Sequence, residues 1–134
     1  RVVHLISERP VRHQAAAAWE RSHDYVALLV DVQKALLRGE VPPGYVASPV
    51  VGEPVFSLPA GLTLRAEHMW SGDALRVYRY RVSNRQSEAR ALPERLFSAP
   101  GVRSVLISPW AETLLPGASA EVWVTVEQEE VNGG

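Results

Sequence analysis

The most regular apolar run lies between Tyr25 and Leu36. Tyr25, Leu28, Leu29, Val32 and Leu36 recur at helical spacing. Ser22 offers a cap, and Asp24 sets a negative charge in the first turn, where the helix dipole favours it. Lys34 and Arg38 occupy the carboxyl end, Gly39 supplies a left-handed stop, and Pro42 and Pro43 forbid a restart. The pattern predicts one amphipathic helix over about 23–38. Ahead of it, residues 1–21 hold a short β-prone run, Pro10, and alanines that end at Trp19. Alanine favours helix, but no apolar stripe is sustained there, so the segment reads as a linker or docking arm.

After Gly61 the period changes to two. Leu62, Leu64, Ala66, His68 and Trp70 alternate with Thr63, Arg65, Glu67 and Met69, "SGD" turns the chain, and "ALRVYRYRVSN" returns as a second strand. Between Tyr45 and Pro59 the prolines at 49, 54 and 59 leave room only for short edge pieces. "LPERLFSAPGV" predicts a helical turn and "VRSVLIS" a strand. In "AEVWVTVEQ" strict alternation turns Ala120, Val122, Val124 and Val126 inward and Glu121, Trp123, Thr125 and Glu127 outward. Short strands at this spacing predict a mostly β fold: an antiparallel sandwich with one amphipathic helix near the N-terminus. The domain spans 22–130, with a tail at 131–134.

At 134 residues and 46% apolar, the chain is one domain with enough material for a core. It begins at Arg1 rather than Met, as expected of a fragment or processed product. The absence of cysteine excludes disulfides, thiolate metal sites and a cysteine nucleophile. His4, His13, His23 and His68 show no metal-ligand spacing; His68 falls with the apolar set of its strand, as a core or rim histidine, and His23 belongs to the helix start. No nucleophile elbow, Ser/His/Asp arrangement or phosphate loop appears, and the acidic tail reads as solvated. The expectation is a protein that is no enzyme and holds neither metal nor cofactor.

One stretch raises another class. "RVYRYRVSNR" interleaves arginines with two tyrosines, as a single-strand nucleic-acid platform would, with Arg76, Tyr78, Tyr80 and Arg85 as its contacts. Three features oppose this. The chain's net charge is −1. Arg76, Tyr78, Tyr80 and Val82 share one face while Val77, Arg79 and Arg81 share the other, so arginine lies on both. Residues 62–92 carry six arginines against Glu67, Asp73 and Glu88, whereas 110–134 carry five glutamates and no Lys or Arg. If the last strand lies beside the arginine strand, cross-strand pairs account for the charge within the domain.

The order of the pieces is distinctive. "ALLRGEVPPGYV" is followed by "LPAGLTLRAEHMWSGDALRVYRYRVSNRQ", "LPERLFSAPGVRSVLIS" and "LLPGASAEVWVTVEQ". Together, over about 22–128, they resemble the carboxyl-terminal domain of TraK, the secretin-like periplasmic protein of F-type conjugation systems. The resemblance implies a β-sandwich subunit of the outer-membrane core complex of a type IV secretion system, exported with a cleaved signal. It implies a TraV-like lipoprotein, a TraB-like channel protein and copies of itself in a ring as partners, a periplasmic location at the outer membrane, and no direct contact with nucleic acid. Residues 1–21 match the family only as a linker.

Partner-binding candidates follow from the residues. Trp19, Trp70, Trp110 and Trp123 are possible aromatic anchors, and Arg79 and Arg81 possible charge contacts. For Trp70 a role capping the core beside its turn is favoured; for Trp123 core and interface remain equally open.

Overall fold

The structure, a computed structural model, describes residues 8–128. Two helices precede the strands where the sequence predicts one: α1 (Glu8–Arg21) and α2 (Tyr25–Leu37). Ala16, Trp19 and Glu20, spaced i, i+3, i+4, form the inward face of α1; Ala16 and Glu20 are buried. Ser22, expected to cap α2, instead closes α1 by donating its hydroxyl to the Trp19 carbonyl at 2.6 Å. Asp24 is the N-cap residue of α2. Its carboxyl end is a Schellman turn: the Glu40 amide donates to the Ala35 carbonyl and the Gly39 amide to that of Leu36, with Gly39 at φ +80°.

The strands are β1 (Val46–Ser48), β2 (Leu62–Ser71), β3 (Leu75–Asn84), β4 (Arg90–Ala91), β5 (Val102–Ser108), β6 (Thr113–Leu114) and β7 (Ser119–Glu127), with a 3-10 turn at Glu94–Phe97. All pairings are antiparallel: a five-stranded sheet ordered β1-β2-β3-β7-β5, and a two-stranded ribbon of β4 and β6. The predicted antiparallel, mostly β fold is what forms. Among the described residues its second β layer is the ribbon, completed by the 3-10 turn and proline-interrupted chain.

Each face of the large sheet carries a core. On one, Tyr78, Tyr80, Val82, Val122 and Val124 meet Leu92, Phe97 and Leu114 of the ribbon layer, with Phe56 edge-on to Tyr80 and to Phe97. Asn84, fully buried, fixes the loop into the ribbon. Its amide donates to the Glu88 and Leu114 carbonyls, and its Oδ1 accepts from the Gln86 amide. On the other face, Leu28, Val32 and Leu36 of α2 and Ala16 of α1 pack with Leu75, Val77 and Trp123. Gln33 extends this contact with a 2.7 Å bond to Ser104 on β5.

Strand β2 changes allegiance midway. Ala66 pairs with Tyr80 but His68 pairs with Arg79, so Glu67 is the extra residue of a bulge. Leu62, Leu64 and Ala66 belong to the ribbon-side core; beyond the bulge Met69 takes that side and Trp70 the helix side. The continuous alternation expected over 62–70 therefore fails at one residue, and His68 is exposed instead of lying among apolar residues.

Candidate interaction surfaces

The aromatic candidates separate by burial. Trp123, on the face of β7 expected to point outward, is 3% exposed, because that face lies beneath the helices. Trp70 stacks on it, with ring centroids 5.6 Å apart and planes at 16°, and His68 also stacks on Trp70, with centroids 5.6 Å apart and planes at 20°. Trp19 is half-buried between His23 and Tyr45. Trp110, in the chain between β5 and β6, is 70% exposed. Of the four, Trp110 alone presents most of its surface to solvent.

Arg79 and Arg81 meet on one carboxylate. Glu67, aimed by the bulge, accepts from Arg81 Nε at 3.1 Å, Arg65 Nη2 at 3.2 Å and Arg79 Nη2 at 3.5 Å. The Arg81 hydrogen bond, helped by Arg65 and the nearby charges, holds the Glu67 carboxyl below its ordinary range. Arg79 also lies over the Trp123 ring at 5.7 Å. The last strand does lie beside the arginine strand, with Arg81 opposite Glu121. Yet the acid that pairs with Arg79 and Arg81 comes from β2, and Glu127 pairs with Arg103 of β5 at 2.6 Å.

The nucleic-acid platform does not form. Tyr78 and Tyr80 are 0% and 1% exposed and sit in the ribbon-side core, so no base can reach their faces. The Tyr78 hydroxyl donates to the Val51 carbonyl at 2.6 Å, tying down the strap between β1 and β2.

Glu20 is a structural acid that the sequence reading passed over. Its carboxylate accepts from the Tyr45 hydroxyl at 2.5 Å and from the Ala74 and Asp73 amides at 2.9 and 3.2 Å, joining α1 to the β2–β3 turn. Gly72 makes room for this joint, since a Cβ there would overlap the Tyr45 ring and the Glu20 carboxylate. Burial, then the bond to Glu20, pushes Tyr45 ionisation well above the usual tyrosine range. Among the described residues no group of three or more His, Cys, Asp or Glu is arranged to hold a metal ion. No helix among them is long and apolar enough to cross a membrane.

Two strand edges complete the picture. β5 ends the sheet, and β1 pairs with β2 only at Met69–Ser71, so Leu62–His68 have β3 as their one strand neighbour among the described residues.

These features define a class: an antiparallel β domain with a core on each face of its large sheet, and with strand edges, a charged patch around Glu67 and an exposed tryptophan accessible at its surface. The chain belongs to the TraK C-terminal domain family, whose model matches residues 15–126. It is also similar to the TraK lipoprotein of Escherichia coli (strain K12), at 36% identity over 129 residues, covering 96% of this chain and 53% of that protein. The chain thus spans about half the length of this curated relative.

Proposed function

We propose that this domain is a non-enzymatic structural subunit in the outer-membrane core complex of a conjugative type IV secretion system. It works on the periplasmic side by binding a TraV-like lipoprotein, a TraB-like channel protein and neighbouring copies of itself in a ring. The observation that carries the reading is the TraK C-terminal domain match over 15–126. The free strand edges of β2 and β5 and the exposed Trp110 support this reading as places where a partner could bind. An added strand would gain main-chain hydrogen bonds at either edge, and an exposed tryptophan is a frequent anchor.

Co-expression with candidate lipoprotein and channel partners, followed by outer-membrane fractionation and size analysis, tests this. The expected result is a large complex that Trp110→Ala weakens at least tenfold. A chain that stays monomeric beside both partners, while binding labelled single-stranded DNA with a steep salt dependence, refutes it.

A further inference from the structure

Arg76 opens the arginine-rich strand, and among the described residues no carboxylate pairs with it. Its Nη1 donates to the Tyr78 hydroxyl at 3.2 Å and the Val51 carbonyl at 3.5 Å, and its Nη2 to Gln128 Oε1 at 3.1 Å. Every one of these acceptors is neutral. Its Nε is buried without an acceptor, and no ion pair to Arg76 forms among the described residues. The contrast with Arg79 and Arg81, which share Glu67, is direct. A half-buried guanidinium whose described acceptors are all neutral is costly, and a carboxylate at its accessible Nη edge would answer the charge with a charge-assisted hydrogen bond.

The surroundings leave space for one. Val46, Ser71, Arg76 and Val126 form a cross-strand row over β1, β2, β3 and β7. The strap crosses this end of the sheet, and Gly52, at φ +64°, brings it so close that a Cβ would lie 3.1 Å from Arg76 Nη1. Beside Arg76 a cavity of about 430 Å³ opens, with Val46, Val51 and Met69 as apolar wall and Ser48 and Ser71 as hydroxyls. Arg76 is its one charged lining side chain among the described residues. A second cavity of about 400 Å³ on its other side includes Glu127, whose carboxylate Arg103 already holds.

We propose that this first cavity is a receptor site for a partner polypeptide, taking a Glu or Asp carboxylate on Arg76 and an adjacent apolar side chain against Val46, Val51 and Met69. The inference rests on the reading of the chain as an assembly subunit and names the chemistry of one contact. A single cation among apolar walls suits a side-chain carboxylate beside a hydrophobic residue. A phosphate backbone would call for several cations along an open track.

Titration of the isotopically labelled chain with acetyl-Leu-Glu-amide, acetyl-Leu-Gln-amide and oligo-dT tests the site by NMR. The glutamate peptide is expected to shift the Gly52, Ser71 and Gly72 amides and the Arg76 Nε–H saturably, at least tenfold more tightly than the glutamine peptide. Arg76→Gln should abolish the preference. Ser71→Glu, which places a carboxylate opposite Arg76 from its own chain, should block the peptide and raise the unfolding midpoint, so the test survives if Arg76→Gln fails to fold.

Equal binding of both peptides overturns the proposal, as does binding that persists in Arg76→Gln or oligo-dT moving the same signals at lower concentration. A shift of the Arg76 Nε–H caused by Glu129→Gln/Glu130→Gln alone also overturns it, assigning the site to the chain's own tail. Failure here leaves co-assembly with the lipoprotein and channel partners untouched. Failure of co-assembly with peptide binding intact removes the assembly reading and not the site.

Discussion

Trp70 lies nearly parallel to Trp123 across β2 and β7, 5.6 Å between ring centroids, although β3 separates their strands. The pair bridges the sheet beneath the helices. Trp123→Ala should lower stability by about 3–5 kcal/mol, as expected when a buried tryptophan is emptied. Trp70→Ala should cost less, because that ring is only half-buried. Urea unfolding gives the magnitudes, and both variants should lose the circular-dichroism couplet of stacked indoles.

The joint at Glu20 predicts a response at high pH. Folding holds the Tyr45 proton more tightly than the unfolded chain does. As pH rises past about 10, the ordinary tyrosine value, the unfolded chain releases this proton first and stability falls. Tyr45→Phe should flatten part of that alkaline limb. Glu20→Ala, which strands three donors, should cost about 2–3 kcal/mol at neutral pH. Denaturant midpoints followed across pH separate the two effects.

Glu67 contributes to the acid limb of stability. Its depressed ionisation contributes stability that is fully present above the ordinary carboxylate value of about 4.3. That contribution is lost as pH falls through the lower folded value. Glu67→Gln should flatten this limb and remove about 1 kcal/mol at neutral pH, a modest effect because Arg65 and Arg81 are largely open to solvent. Unchanged acid sensitivity in Glu67→Gln would place the titrating group elsewhere.

Asn84 ties the ribbon to the sheet through three bonds in a dry setting. Asn84→Ala leaves the Leu114 carbonyl without that donor and should cost about 2–3 kcal/mol. Amide exchange should quicken first in β4 and β6, before the central strands.

Much of this was legible from the sequence. The stop at Gly39, the turn at "SGD", the break imposed by the prolines and the strict alternation of β7 all appear where their residues demand. What escaped were features that depend on a third element. α1 concealed its inward face because one of its three positions is Glu20, a carboxylate buried only because Tyr45 and two amides receive it. Trp123 looked outward because alternation distinguishes two faces without saying that helices cover the second. Tyr78 and Tyr80 looked like a platform because strand periodicity does not reveal which side the ribbon layer closes. Charge pairing within the domain does occur, but for Arg79 and Arg81 the acid comes from the bulge in β2 rather than from the last strand.

That bulge separates two tasks usually entangled in a strand. Removing Glu67 would restore simple alternation: Leu62, Leu64, Ala66 and Met69 would stay toward the ribbon and Trp70 toward the helices. The hydrophobic layers therefore do not need the inserted residue. Arg65, Arg79 and Arg81 do, since with it they lose the acid on which all three converge. The chain carries one residue more than its packing requires, and that residue serves as a built-in counterion.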